Sequence, residues 1–197
     1  MSEMHRATWA DLPSLYRICF ETAERTPTGS LLHQHPDLLG HVYVGPYLVR
    51  EPDLCFVVAD EAGVGGYLLG TADTRGFEDW AEAEWWPALR LRYPDRGGST
   101  SDDELIRQIH APVRAPESVV ADFPAHLHID LMPRLQGHGS GRALIDAVLA
   151  EFRGRDVPGV HLNVGAENHN AISFYQHLGF QQVEVGETSL YLGMRLS

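Results

Sequence analysis

Residues 126 to 141 carry the chain's densest run of chemically capable groups: His126-Leu-His128-Ile-Asp130-Leu-Met-Pro-Arg-Leu-Gln136-Gly-His-Gly139-Ser-Gly141. His126, His128 and Asp130 alternate with Leu127, Ile129 and Leu131, a period of two that sets three ionisable groups on one face of a strand. Imidazoles and carboxylates so placed can take up and hand on protons. A strand His-x-His also suits a metal, but no third ligand is apparent and no metal is expected. The glycine run that follows suits an anion. Glycine takes backbone angles closed to other residues and lets a ligand approach the main chain. A helix behind it adds unpaired N–H groups and a positive dipole end, which together favour a phosphate or pyrophosphate. The spacing Gln136-x-x-Gly139-x-Gly141 is not Gly-x-Gly-x-x-Gly and lacks a Gly-Lys-Ser/Thr ending. Alone, such a turn also serves as a tight strand-to-helix connection.

These groups need a strand before the turn and a helix after it. Val119 to Leu131 reads as the central strand, ended by Pro133. Leu144, Ile145, Val148, Leu149 and Phe152 recur at helical spacing. A central strand covered on both sides normally reads as continuously apolar, so three ionisable groups on one of its faces predict a cleft there. Upstream, residues 4 to 7 read as a first strand. A helix follows, with Thr8 or Asp11 as its cap, Pro13 in its first turn, and an apolar stripe of Leu12, Leu15, Tyr16 and Cys19. Residues 26 to 48, rich in Pro, Gly and His, read as irregular with a short helix near Pro36 to Leu39. Leu54 to Asp60 and Val64 to Thr71 form a hairpin, with Gly65-Gly66 a bulge or a close backbone approach. Residues 76 to 118 read as a helical insert. Within Gly76 to Leu91, Trp80, Trp85 and Trp86 stand among four acidic residues, and Ser101-x-x-Glu104 is a capping box. The insert could wall a cleft, or its tryptophans could simply fill core. Downstream come a strand at Gly159 to Val164, a helix at Asn168 to Leu178, and closing strands at Phe180 to Val185 and Ser189 to Arg195.

The 197 residues suit one domain, 1–197, with a substantial core, and 44% apolar and 21% charged content mark a globular chain. A net charge of −12 argues against nucleic-acid binding, which needs a basic face, and permits a cationic partner. Cys19 and Cys55, the only cysteines, read as buried apolar groups. There is no basic, apolar, cleavable N-terminus and no apolar run long enough to span a bilayer, so no membrane association is expected and the cytoplasm is the expected location.

A second constellation, Leu162-x-Val164-x-x-x-Asn168-x-x-Ala171-x-x-Phe174-Tyr175-x-x-Leu178-Gly179-Phe180, follows the glycine turn. The two in this order resemble the GNAT superfamily of acetyl-CoA-dependent N-acetyltransferases. The resemblance implies an α/β fold of the α+β type: a mixed, largely antiparallel sheet, splayed at the central strand and flanked by helices. It implies acetyl-CoA as co-substrate, with Gln136, Gly137, His138, Gly139, Ser140 and Gly141 around the pyrophosphate and Arg134 or Arg142 as further donors. Leu131 and Met132 would pair with the pantetheine through their backbone, and Asn168, Phe174 and Tyr175 would contact the coenzyme. Tyr175 matches the tyrosine often assigned as general acid to the leaving thiolate. Asn168 also reads as a helix N-cap. Asp130, close to where the thioester would lie, becomes the first candidate for proton acceptor, directly or through water, with His128 second. Asp130 could instead hold a neighbouring backbone group or tyrosine. Tyr43 and Tyr47 become candidates for the acceptor pocket.

Gly45-Pro46-Tyr47, Cys55-Phe56-Val57-Val58, Gly66-Tyr67-x-x-Gly70, Glu84-Trp85-x-Pro87-x-Leu89, Tyr93-Pro94 and His128-Ile129-Asp130-Leu131-Met132-Pro133 further resemble the acetyltransferase-like C-terminal domain of animal O-GlcNAcases. That implies a free-standing relative. The animal domain is regarded as a pseudo-acetyltransferase without the pyrophosphate loop, whereas this chain keeps Gln136, Gly139 and Gly141. The expectation is direct acetyl transfer to an unidentified amine. The alternative is a non-catalytic acetyl-CoA-binding sensor or interaction module. An exposed sheet edge and the aromatic insert would permit a homodimer.

Overall fold

The computed structural model describes residues 2–23 and 32–196. Seven strands form one sheet in the order β1-β2-β3-β4-β5-β7-β6: β1 (Glu3–Arg6), β2 (Cys55–Asp60), β3 (Gly63–Thr71), β4 (Ala125–Leu131), β5 (Gly159–Gly165), β6 (Gln181–Val185) and β7 (Ser189–Arg195). All neighbours run antiparallel except β4 and β5, which pair in parallel only at Ala125↔Val160 and His126↔His161. Beyond that point the two strands part. The mixed, mostly antiparallel sheet splayed at its centre is the expected architecture.

Each face is covered because β4 sorts its residues by parity. Ala125, Leu127 and the partly buried Ile129 and Leu131 join the core under α8 (Ser140–Gly154), whose Leu144, Ile145, Val148 and Phe152 lie on Phe56, Val58 and Leu68. On the opposite face, α1 (Leu12–Thr22), α2 (Pro36–Tyr43), α3 (Gly45–Arg50) and the insert pack over Val57, Tyr67 and Leu69. The insert runs through α4 (Thr74–Trp80), a π-helical turn (Ala81–Trp85), α5 (Trp86–Arg92), α6 (Ser101–His110) and α7 (Glu117–Val120). Trp86 is buried in this second core and Trp85 donates its indole N–H to the His41 carbonyl at 2.9 Å.

Several expectations shift. The apolar residues Val119 and Val120 belong to the short helix α7, not to the central strand: both N–H groups reach the Pro116 carbonyl, and β4 starts only after Pro124. The cap of α6 lies one residue earlier than read, with Thr100 and Asp103 bonding reciprocally instead of Ser101 and Glu104. The short helix expected near Pro36 to Leu39 runs on to Tyr43 as α2, and α3 follows where irregular chain was expected; each has a proline in its first turn, where a missing N–H costs nothing. Residues 26 to 31, also read as irregular, lie outside the described residues. Gly65 and Gly66 do both things foreseen for them. The β2–β3 register shifts so that Gly65 bulges, and a side chain on Gly66 would collide with Leu131 across the sheet.

Candidate active site

The chain leaves β4 through Pro133–Leu135 and reaches α8 by way of Gly137 (φ 76°) and Gly139 (φ 83°). Both lie in the left-handed region, and space beyond them is open, so their requirement is conformational. Gly141 serves differently: a side chain there would press on Leu131 and Phe174, so its absence seats α8 against the strand. The 15-residue α8 points its N-terminus into this turn with no side-chain cap, and the Ser140 hydroxyl is buried there with no hydrogen-bond partner among the described residues. Unpaired N–H groups, an orphan hydroxyl and a positive dipole end fit a bound diphosphate. His138 is exposed beside them. Arg142 is exposed too and loosely paired with Asp146 at 3.6 Å. Arg134 turns elsewhere, donating to Asp60 of the β2–β3 turn at 2.9 Å.

Gln136 gives its side-chain amide to the Leu131 carbonyl at 2.8 Å, tying the loop to the end of β4. Met132 spends its N–H on the Gly65 carbonyl at 2.8 Å. Because successive residues of a strand turn their backbone groups to opposite sides, Ile129 and Leu131 direct theirs toward the splay, where β5 has already left. An extended ligand chain entering the splay would meet them.

Across the strand lies a cavity of about 590 Å³ between the sheet and the insert. His126 and His128 line it, together with the foreseen Tyr43 and Tyr47. His161 and Tyr191 complete a row of rings along its floor, with centroid steps of 5.9 Å from His128 to His126, 5.6 Å to His161 and 6.1 Å to Tyr191. His126 is fully engaged. Thr74 donates its single hydroxyl proton to the Pro124 carbonyl at 2.6 Å, so it must accept the Nδ1–H of His126 at 2.8 Å. Nε2 then accepts from the Tyr47 hydroxyl at 2.6 Å. His128 makes no hydrogen bond among the described residues; its ring meets those of Tyr43, Tyr47 and His126. Burial, reinforced by His161, pushes its pKa down to about 4; burial also lowers His126, further than usual, and His161. All three rings are neutral at physiological pH.

Asp130 shares their face but points past the cavity to α1, where it accepts a hydrogen bond from the Tyr67 hydroxyl. Burial raises its pKa, and the Tyr67 hydroxyl opposes the rise. Tyr175 lies on α9 (His169–His177), buried between Phe174 and Phe180 at ring separations of 5.4 and 5.8 Å. Burial, then the field of Asp130, raises its hydroxyl pKa, so it remains protonated. Asn168 caps α9, its Oδ1 accepting from the Ala171 N–H at 3.1 Å. Sequence reading missed Thr74, His161, Tyr67 and Tyr191. For His161 and Asn163 a signal existed: they alternate with Val160, Leu162 and Val164 as the β4 histidines alternate with leucines.

A model of the acetyltransferase (GNAT) family matches residues 9–180. Protein O-GlcNAcase from Rattus norvegicus is 27% identical over 173 residues, covering 86% of this chain and 19% of that protein. Mycothiol acetyltransferase from Beutenbergia cavernae is 30% identical over 131 residues, covering 53% of this chain and 43% of that protein. The chain thus spans less than half the length of either relative. Among solved structures, SsHAT matches the whole chain and 98% of its own length, at TM-score 0.89 and 37% identity. PaiA N-acetyltransferase from Thermoplasma acidophilum, in complex with coenzyme A, shares the fold at TM-score 0.62 and 12% identity over 99% of each chain. With a family model spanning most of its length and a glycine turn, splayed strand and helix arranged as described, the chain belongs to the GNAT acetyltransferase family.

Proposed function

We propose that this protein transfers an acetyl group directly from acetyl-CoA to an amine held in the cavity between sheet and insert. The observation that carries the reading is the continuity of two sites through one strand. The anion-suited turn at the α8 N-terminus and the backbone edge of Ile129 and Leu131, unpaired with β5, lie at one end of β4, and the cavity lies under His128. The diphosphate of the coenzyme would rest on the N–H groups from Gly137 to Arg142 and on the Ser140 hydroxyl, while its pantetheine pairs along the splay. Bound there, acetyl-CoA supplies an activated thioester.

Direct transfer needs a proton removed from the attacking nitrogen and, at departure, one given to the thiolate. His128 is the group we assign to the first task. It lines the cavity, is neutral and lacks a hydrogen-bond partner among the described residues, so its lone pair is available to an amine N–H. Asp130, the first candidate from sequence, is bonded to Tyr67, and we assign it the support of that tyrosine and a secondary share of the proton. Tyr175, kept protonated by burial, is the donor to sulfur. A coenzyme-binding module without turnover would share the glycine turn, and the engagement of Asp130 by Tyr67 favours that second reading to the extent that Asp130 is needed as base.

Calorimetric titration with acetyl-CoA and CoA, followed by acetyl transfer to a panel of amines, separates them. Binding with transfer that His128→Ala lowers by about 10²-fold or more supports the enzyme. Binding without transfer to any amine supports the module. A folded protein that binds neither nucleotide refutes both.

A further inference from the structure

The chemistry of the cavity walls defines what the acceptor carries. We propose that it is a primary amine borne on an uncharged, hydroxyl-bearing body; the proposal deepens the acetyl-transfer reading and rests on it.

Charge is the first argument. The two carboxylates that line the cavity are already matched. Glu78 accepts from Arg75 at 2.7 Å, from Arg114 at 2.9 Å and from the Ala115 N–H at 2.8 Å, and Glu82 takes both terminal nitrogens of Arg90 at 2.7 Å. Arg114, the cation of the lining, is shared between Glu78 and Asp79. Among the described residues the walls therefore offer no free carboxylate for a polycation and no free guanidinium for an anion. The three histidines add no charge. A buried charge on the far end of a ligand would lack its counter-ion here, a cost of several kcal/mol by general experience (~2–7 kcal/mol for a polar group alone).

The second argument is the direction of the hydrogen bonds. His161 gives its Nδ1–H to the Phe123 carbonyl at 2.7 Å, and a neutral imidazole has only one such proton, so Nε2 is an acceptor. Asn163 gives an amide N–H to Ser189 at 2.9 Å, which leaves its carbonyl oxygen to accept. The end of the cavity away from His128 thus presents lone pairs and asks for donors. Hydroxyl groups supply them without charge. His128 and His161 both border His126, at centroid steps of 5.9 Å along β4 and 5.6 Å across to β5, so one small ligand can face both rings. The rings of Tyr47, Phe77 and Trp86 give that body apolar faces to lie against.

Two bodies share this chemistry, a hydroxylated saturated ring and a phenol. Glucosamine and tyramine probe them, with spermidine and a lysine-containing peptide as charged competitors. Acetyl transfer to all four is measured in parallel. All fifteen Lys and Arg residues of the chain are arginine, so labelled acetyl-lysine can arise only from the peptide. The ring-nitrogen NMR signals of His161 are followed during titration of each amine in the presence of CoA. The proposal expects glucosamine or tyramine to be preferred over both charged amines and to shift the His161 signals; which of the two does so identifies the body. His161→Phe should raise KM for that amine about tenfold while changing kcat little, and Asn163→Leu, at an exposed position, reports the same loss should the first variant not fold. Transfer to spermidine or the peptide alone would overturn the proposal and leave acetyl transfer standing. Unmoved His161 signals with both hydroxyl-bearing amines would overturn it whether or not turnover occurs. Failure to bind acetyl-CoA would remove the acetyl-transfer reading instead.

Discussion

His126 and His161 face each other as the last pair joining β4 to β5, with ring centroids 5.6 Å apart on the insert side of the sheet. The splay opens where two imidazoles meet, and neither can be charged cheaply: burial lowers both pKa values along with that of His128, and His126 is lowered further by the fields of His128 and His161.

Acid should therefore loosen the fold through this row. In the unfolded chain each ring takes a proton near its ordinary pKa of about 6.5. In the folded chain His128 resists until about 4 and the others also hold out below the ordinary value. Between those limits the unfolded state binds more protons, so stability is full above about pH 6.5 and falls as pH drops toward 4. His128 alone accounts for about 3 kcal/mol of that loss, as an order of magnitude. Urea unfolding across this range should show it. His128→Asn should flatten the slope by about one proton; an unchanged slope would clear His128 of the effect.

Gly139→Ala should weaken coenzyme binding without emptying the core. Nothing stands within 4 Å of the added carbon, so the penalty is that of a left-handed backbone, about 1–2 kcal/mol. A loop pulled toward ordinary angles would misdirect its N–H groups. Calorimetry should record a drop of about tenfold or more in acetyl-CoA affinity, with the far-ultraviolet circular dichroism preserved. Full affinity would mean that the phosphates rest elsewhere.

Tyr175→Phe removes one oxygen and keeps the ring between Phe174 and Phe180. Acetyl-CoA affinity and folding should stay near wild type while kcat falls about 10²-fold, the size of a lost general acid. The deficit should shrink with acyl donors whose thiols are more acidic, which need less help in leaving. A deficit independent of the leaving group would reassign Tyr175 to packing.

Much of this site was legible because strand parity and glycine spacing are local. The alternation from His126 to Leu131 set both the strand and its polar face, and Gln136 to Gly141 marked a turn whose left-handed angles only glycine takes readily. The helical stripe of α8 was equally plain. What the sequence could not reveal depends on partners distant in the chain. Nothing adjacent to Asp130 says that Tyr67, 63 residues earlier, donates to it. Nothing near His126 names Thr74 or Tyr47, which fix its tautomer. Val119 and Val120 misled because a short buried apolar run carries no period, and two prolines, not hydropathy, decided that it forms a helical turn.

Glu78 should govern access to the cavity without touching the coenzyme. One carboxylate gathers Arg75, Arg114 and the Ala115 N–H, and so holds residues 112 to 115, the segment that closes one wall, against α4. Glu78→Ala would leave the Ala115 N–H without its acceptor, at a cost of about 1–3 kcal/mol, while Arg75 keeps Glu117 and the Ala115 carbonyl and Arg114 keeps Asp79. The loss should be local, since the segment makes its own excursion without unfolding the sheet. Hydrogen exchange at the Ala115 amide should accelerate while exchange in β4 and α8 does not. Acetyl-CoA affinity should hold, and KM for the amine should rise. Glu78→Gln keeps an acceptor for Ala115 but gives up the two charge-assisted bonds, so it should fall between wild type and Glu78→Ala in both measurements. Exchange that quickens across β4 as well would show Glu78 to be a support of the whole fold instead of a clamp on one wall.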